Sequence, residues 1–121
     1  MDVLFQFGNL QVTAQFNDSS TAQIIYAALP IHSTANRWGD EIYFEIPVKL
    51  SPEAATFDSK VGDIGYWPEG ACLCLFFGKT PASVDDRPRP ASEVTVLGTF
   101  SESPVLLRKV APGTKVRVLK Q

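Results

Sequence analysis

Two cysteines and two glutamates are the residues whose spacing could support chemistry. Cys72 and Cys74 stand two residues apart, so on a strand both thiols share one face, with Cα atoms ~6.6 Å apart, near the upper limit for a disulfide. Glu41 and Glu45 also share a strand face, but about 13 Å apart, too far for the carboxylate pair of a glycosidase. We interpret the cysteines as small buried residues and the glutamates as partners of bases on neighbouring strands.

Other patterns for catalysis or metal binding are incomplete. His32 is the single histidine, and no Gly-x-Ser-x-Gly nucleophile motif accompanies it. Two thiols and a distant histidine do not supply the four ligands of a structural zinc ion. The segment 62–65 lacks the lysine or the third glycine of the phosphate-binding loops. The sequence therefore predicts no catalytic residue, no metal site and no cofactor.

Aromatic residues near loops and strand ends suggest a binding site instead. They are Trp38, Tyr43, Tyr66, Trp67, Phe76 and Phe77. Two tryptophans in two turn-rich loops either fill the mouth of a barrel or line an apolar pocket with a few polar groups. Both interpretations stay open at the level of the sequence.

Short apolar segments separated by proline and glycine predict a mainly β fold. Six of them have the pattern of strands, namely 3–7, 10–16, 41–46, 71–77, 93–100 and 115–119. The first two flank Gly8-Asn9 as a hairpin, and the continuously apolar segment 71–77 is typical of a strand covered on both sides. Residues 33–40 are predicted as a polar loop. Residues 79–92 have no periodicity and contain three prolines, which is typical of a long functional loop.

One principal helix and one short helical turn are predicted beside six to eight strands. The helix spans residues 17–29, with Ser20 and Gln23 at the spacing of a capping box. Ser51 followed by Pro52 marks the start of the short turn. This inventory indicates a closed β-barrel with a helix at one end.

Composition and charge exclude several classes of protein. The chain has 121 residues, of which 45% are hydrophobic and 20% charged, so we expect one globular domain over residues 1–121. Lys115 and Arg117 alternate with valines near the end of a chain of net charge −2, which indicates a solvated strand rather than a nucleic-acid surface. Without a membrane-length apolar run or a signal-peptide pattern, we expect a cytoplasmic protein with no membrane partner.

Three blocks, taken in order, resemble the small prokaryotic cyclophilin-like family, whose barrels are distinct from true cyclophilins. The blocks are Asn36–Pro47, Val61–Gly70 and Cys74–Pro81. With the helix, the resemblance covers most of the chain. It implies a closed cyclophilin-like β-barrel, whereas the family itself is best described as uncharacterised.

Comparison with true cyclophilins implies a pocket that lacks their catalytic arginine. Their strand ending in Gln-Phe-Phe is similar to Leu75–Phe77, which places Phe77 where a phenylalanine packs on the substrate proline. Their catalytic arginine falls on Phe44 or Glu45, and neither is a base. Isomerisation must break amide resonance across a ~20 kcal/mol barrier, which a cation beside the proline amide would lower and an acid would raise.

We therefore predict a binding module for a peptide segment or a small molecule, acting as a monomer or weak homodimer. The alternative is a weak peptidyl-prolyl isomerase, in which Arg37, Arg87 or Arg89 reaches in from a loop. A third possibility is a structural role through self-association of exposed strands. The predicted ligand-binding residues are Trp38, Tyr43, Glu45, Tyr66, Trp67 and Phe77.

Overall fold

The computed structural model describes residues 1–121 and contains nine strands and two helices. The strands are β1 (Asp2–Phe7), β2 (Leu10–Phe16), β3 (Ile31–Thr34), β4 (Asn36–Arg37), β5 (Glu41–Glu45), β6 (Asp63–Trp67), β7 (Cys72–Phe76), β8 (Thr95–Phe100) and β9 (Lys115–Lys120). The helices are α1 (Ser20–Ala27) and α2 (Pro104–Leu107). Neither helix is long and apolar enough to cross a membrane.

The strands form one antiparallel sheet in the order β3-β9-β1-β2-β8-β6-β7-β5-β4. Its edge strands, β3 and β4, are consecutive in the chain and separated only by Ala35. This stretch pairs with β9 on one side and with β5 on the other. Across the seam, the Ser33 hydroxyl donates to the Glu45 carbonyl at 2.6 Å. The sheet is a nearly closed barrel, which confirms the predicted fold class.

Alternation along the strands fills the barrel interior with apolar side chains. In β1 and β2 every second residue is buried, as expected where one face of a strand meets the core. Phe5 and Phe7 from β1 meet Phe44 from β5 edge to face, with ring centroids 6.2 and 6.3 Å apart. These contacts hold opposite walls of the barrel together.

Strand β7 is buried on both faces, as its continuous apolar sequence predicts. Its inward residues join the barrel core. Its outward residues, Cys72, Cys74 and Phe76, form a second apolar cluster with Val94. The long loop after β7 therefore covers part of the barrel's outer surface.

The principal helix is present but shorter than predicted, spanning Ser20–Ala27 rather than residues 17–29, and its cap lies one residue before the predicted one. Ser19, not Ser20, is the cap, and its side chain accepts from the Ala22 N–H at 3.2 Å. The first turn of the helix has a second acceptor, distant in sequence. The Glu53 carboxylate accepts from the Thr21 N–H at 2.8 Å. Acidic oxygens at a helix start satisfy otherwise unpaired N–H groups.

The short helix is present but lies elsewhere than predicted. It is α2, where Ser103 is the cap and Pro104 the first helical residue, the same signal that Ser51 and Pro52 carry. At the predicted place, Ala54 has a left-handed φ of 47°, and the Glu53 N–H donates to the Thr95 hydroxyl at 3.1 Å. Tertiary hydrogen bonds override the local signal there.

The predicted strand count of six to eight is too low, and the segment 33–40 is not a polar loop throughout. Residues 31–34 and 36–37 are strands. They lack strong alternation because only Ile31 and Ala35 of this stretch are buried. Pairing with β9 and β5 supplies the hydrogen bonds that stabilise this segment.

Candidate functional site

A cavity of about 150 Å³ lies on the outer face of the barrel. Outward side chains of β5, β6 and β7 line it, together with the end of the long loop after β7 and the turn before β5. Its lining residues are Trp38, Glu41, Tyr43, Trp67, Cys74, Pro90, Ala91, Ser92 and Val94.

Strand alternation places the acid and the tyrosine of β5 in this cavity. Ile42 and Phe44 are fully buried in the core, so Glu41 and Tyr43 point to the opposite face. Tyr43 pairs with Cys74 across the ladder, which brings the thiol beside both side chains. The floor of the cavity is thus fixed by the register of β5 and β7.

A short turn positions Trp38 at the edge of the cavity. The Trp38 N–H donates to the Glu41 carbonyl at 3.0 Å, and the Glu41 N–H donates back to the Trp38 carbonyl at 3.2 Å. The Asp40 N–H in the same turn donates to the Lys79 carbonyl at 2.8 Å. The turn is therefore tied to the start of the long loop, and two backbone hydrogen bonds join Trp38 to Glu41.

Two polar contacts and a glycine fix the orientation of Trp67. Its indole N–H donates to the Ser92 hydroxyl at 2.5 Å, and that hydroxyl donates to a Glu69 carboxylate oxygen at 3.2 Å. The ring meets Tyr43 edge to face at 6.5 Å. A Cβ at Gly70 would lie 2.7 Å from the indole ring, so only glycine lets the ring fold back over the turn that follows β6.

Side-chain hydrogen bonds hold the long loop that roofs the cavity. The Thr80 hydroxyl donates to the Arg89 carbonyl at 2.5 Å, and the Ser83 hydroxyl donates to the Arg87 carbonyl at 2.8 Å. At the far end of the loop, Val94 exchanges two backbone hydrogen bonds with Thr56. The roof is thus a braced segment, which favours a preformed cavity.

The Glu41 carboxyl is the unusual group of the cavity. Its residue is 6% exposed, and none of the five salt bridges of the chain includes it. Burial raises the pKa of Glu41 to about 7, although a hydrogen bond from the Cys74 thiol opposes this rise. A carboxyl with that pKa changes charge near neutral pH.

The two thiols are poor nucleophiles in this environment. Burial, and then the nearby charge of Glu41, raises the pKa of Cys74 well above its usual value. Burial raises the pKa of Cys72 to about 11, with Glu45 and Glu41 contributing. Because the reactive form of cysteine is the thiolate, both side chains act as apolar packing groups, as the sequence predicts. They are free cysteines.

Three of the six predicted ligand-binding residues come together. Trp38, Tyr43 and Trp67 all line the cavity. Glu45 shares the outward face of β5 with Tyr43 but is exposed and lies beyond the cavity lining.

Tyr66 and Phe77 do not lie in the cavity, which contradicts their predicted placement. Tyr66 is fully buried in the barrel core, where its hydroxyl donates to the Val48 carbonyl at 2.8 Å and accepts from the Leu50 N–H at 3.0 Å. Phe77 is 1% exposed and belongs to the same core. Phe76, not Phe77, shares the outer face with Cys74, because side chains alternate along β7.

No arginine lines the cavity. The Arg37 guanidinium lies 5.0 Å from the Phe77 ring centroid, but this ring is inaccessible. The same guanidinium donates to the carbonyls of Gly39, Arg108 and Val110. It therefore ties the turn before β5 to the segment after α2.

The other two arginines that could have reached the pocket are also engaged elsewhere. Arg87 pairs with Asp58 and Asp85 at 3.7 and 3.3 Å. Arg89 stacks on Phe57, with its guanidinium carbon 4.3 Å from the ring centroid. The structure contains no cluster of three or more histidine, cysteine or acidic residues able to hold a metal ion.

Sequence reasoning missed Glu41 and the roof residues as parts of the site. The sequence favours an ion pair between Glu41 and a base on a neighbouring strand, yet Glu41 forms no salt bridge. The sequence signal that places Glu41 in the site is its spacing: it lies two residues before Tyr43 on a strictly alternating strand, so both side chains share one face. The sequence predicts a functional role for the long loop, but the packing of this loop on the barrel depends on residues distant in sequence.

The fold and the site define a barrel of the cyclophilin type with a cavity of about 150 Å³ on its outer face. The family model described as "Cyclophilin-like" matches residues 1–119, and the chain belongs to that family. A comparison with curated proteins gave no match.

Two solved structures are similar to this chain. The hypothetical protein AF2241 from Archaeoglobus fulgidus has 40% sequence identity and a TM-score of 0.85, over 100% of this chain and 95% of that one. McbB, solved in complex with tryptophan, has 14% identity and a TM-score of 0.75, over 98% of this chain and 44% of that one. The second similarity concerns the fold alone.

Proposed function

We propose that this protein is a non-enzymatic binding module, which holds a small molecule or one side chain of a peptide segment in its outer cavity. The observation that carries the proposal is a cavity lined by three aromatic residues, Trp38, Tyr43 and Trp67, together with one buried carboxyl group, that of Glu41. Apolar walls with few, well-placed polar groups are typical of ligand sites. A volume of about 150 Å³ suits one ring-sized group, since an engineered cavity of that size binds benzene.

The rigidity of the walls supports binding as the main role. The Trp67 indole is held by Ser92 and by its contact with Tyr43, and the backbone of Trp38 is held in a hydrogen-bonded turn. Side chains that are already ordered lose little conformational entropy when a ligand arrives. McbB was solved with tryptophan bound, which makes this amino acid a sensible first probe.

A peptidyl-prolyl isomerase remains the competing function. Against it stands the cavity lining, which offers an acid and no guanidinium. In a protease-coupled assay with a proline peptide, we expect the uncatalysed rate. A clear acceleration that Tyr43→Ala abolishes would replace the binding proposal with the isomerase.

A fragment screen tests the binding proposal directly. The panel contains tryptophan, indole, small amines and short proline peptides, and the readouts are tryptophan fluorescence and the indole N–H resonances. Ala91→Trp fills the mouth of the cavity and should abolish every hit. Val84→Trp, on the same loop but at a position 89% exposed, is the matched control and should keep them. Hits that survive Ala91→Trp, or the absence of any hit, would refute the proposal.

We also propose a cytoplasmic protein that acts as a monomer or weak homodimer without a nucleic-acid partner. The free thiols of Cys72 and Cys74 suit a reducing compartment. Lys115 and Arg117 lie exposed on β9 between buried valines, and so do not form a concentrated basic patch. Light scattering over a range of protein concentrations tests the oligomeric state.

A further inference from the structure

We propose that the group bound in this cavity is an organic ammonium, which the Glu41 carboxylate and the aromatic rings hold together. The inference rests on the proposed binding function and specifies the chemistry of the ligand. It is carried by one juxtaposition: a buried acid without a cationic partner lies in a cavity walled by Trp38, Tyr43 and Trp67.

The acid of this cavity lacks the partner that buried acids normally have. Glu41 is 6% exposed, forms none of the salt bridges of the chain, and shares its cavity with no lysine, arginine or histidine. Burying an ionised carboxylate without a cation is costly. Its one polar contact is the weak thiol donor of Cys74. A cation supplied by the ligand would offset the desolvation of the carboxylate.

The aromatic rings attract a cationic ligand, as the carboxylate of Glu41 does. The face of an aromatic ring attracts a cation, with the strongest effect for tryptophan, and aromatic cages bind quaternary ammonium groups in this way. The Trp67 N–H is already donated to Ser92, so Trp67 offers its ring surface rather than its donor. A neutral apolar ligand would use the rings and leave the acid unpaired, and an anionic ligand would be repelled.

The titration of Glu41 makes the proposal measurable. The titratable groups that line the cavity or interact with Glu41 are Tyr43 on β5 and Cys72 and Cys74 on β7. Further out, Glu45 on β5 acts on Cys72, and Glu69 after β6 accepts from Ser92 in the cavity wall. The pKa values of both thiols are raised, so they remain protonated near neutral pH. Because ionised Glu41 attracts the ammonium group and protonated Glu41 does not, affinity should rise with pH, by up to about 30-fold from about pH 5.5 to pH 8, given a pKa of about 7.

Calorimetry with a matched pair of probes tests the inference. Choline carries the ammonium charge, and 3,3-dimethyl-1-butanol is its neutral isostere. At about pH 8 we expect choline to bind at least about tenfold more tightly than the alcohol, a preference that should decline as Glu41 is protonated. Glu41→Gln should lose both the preference and the pH dependence. Glu93→Gln, which removes an exposed acid beside Val94, is the control and should keep both.

A second readout is independent of the variants. The ¹³C resonance of the Glu41 carboxyl reports its pKa, which should fall when choline binds, because a bound cation favours the ionised form. A trimethyl-lysine peptide compared with choline distinguishes a peptide ligand from a free amine, and tighter binding of either agrees with the inference.

The outcomes separate this inference from the binding function. If the alcohol binds as tightly as choline, if Glu41→Gln keeps the preference, or if choline leaves the Glu41 pKa unchanged, the ammonium inference is wrong and the binding function stands. If fragments bind but no ammonium compound does, the same conclusion follows. If nothing binds and Ala91→Trp changes nothing, the binding function itself fails.

Discussion

The substitution Glu41→Gln should stabilise the protein at alkaline pH and have little stabilising effect in acid. It replaces a carboxyl that is buried in the cavity without a cation with an amide of nearly the same shape. The amide never has to carry a charge in that environment. The expected gain is therefore the cost of keeping Glu41 ionised in the folded state.

The pKa of Glu41 sets the size and the sign of this effect. Burial raises it from the usual 4.5 to about 7. Below pH 4.5 the carboxyl is protonated in both states, and the raised pKa has no cost. As pH rises from 4.5 to about 7, the unfolded state loses its proton first, so the free energy of unfolding falls. The full loss corresponds to about 3 kcal/mol.

The measurement is urea unfolding of the wild type and the variant at a series of pH values. The stability difference between them should grow by about 3 kcal/mol from about pH 4.5 to about pH 8. Comparing this growth, rather than one absolute value, removes the effect of packing an amide in place of an acid. Asp63, whose pKa burial also raises, is present in both proteins and cancels from the comparison.

Glu45→Gln is the matched control, because Glu45 lies exposed on the same strand. Its stability difference from the wild type should stay nearly constant over this range. A wild-type protein that gains stability on Glu41 ionisation, or a Glu41→Gln difference that does not grow with pH, would show that the carboxyl is solvated or paired. Both the electrostatic description of the cavity and the ammonium inference would then lose their basis.

Three further predictions concern the barrel that carries the cavity. Glu53→Gln should lower stability at neutral pH, because the carboxylate accepts from the N–H and the hydroxyl of Thr21; these bonds lower the pKa of Glu53, so in urea unfolding the difference should disappear as pH falls through that lowered pKa. Gly98→Ala should cost about 2–3 kcal/mol, because its Cβ would lie 2.3 Å from the Gln15 carbonyl oxygen; an unchanged urea midpoint would contradict this close approach. Phe44→Ala should cost about 3–5 kcal/mol in the same measurement, because this ring is fully buried; a cost below about 1 kcal/mol would contradict its role in the core.

The barrel can be predicted because its signals are local. The alternation of residues 41–46 is enough to assign Ile42 and Phe44 to the same face, and both are fully buried in the core. The continuous apolar sequence of 71–77 indicates a strand covered on both sides, which β7 is. The segment at 31–37 escapes prediction because its pairing with β9 and β5 depends on residues outside the segment itself.

The candidate site can be predicted only in part, and the errors have a physical cause. Trp38, Tyr43 and Trp67 do line one cavity. Strands β5 and β6, which carry Tyr43 and Trp67, lie on either side of β7, and Trp38 lies in the turn before β5. Phe77 is assigned to the pocket by resemblance. Side chains alternate along a strand, however, so Cys74 and Phe76 share the outer face and Phe77 points to the opposite one. A register inferred from resemblance is reliable only when it agrees with the alternation of the strand itself.

Under the proposed binding function, the charge of Glu41 determines which ligands this outer face of the barrel should favour. An isomerase must bind the twisted proline amide more tightly than the planar one, and a hydrogen-bond donor or cation beside the amide achieves this. Glu41 at its raised pKa is half ionised near neutral pH, and its ionised form opposes that stabilisation. The same carboxylate, in a cavity lined by aromatic rings, favours a cation without any change in the barrel. We therefore expect the charge of Glu41, the first outward residue of β5, to be a better guide to the ligand of this protein than the barrel, since a fold alone does not specify a function.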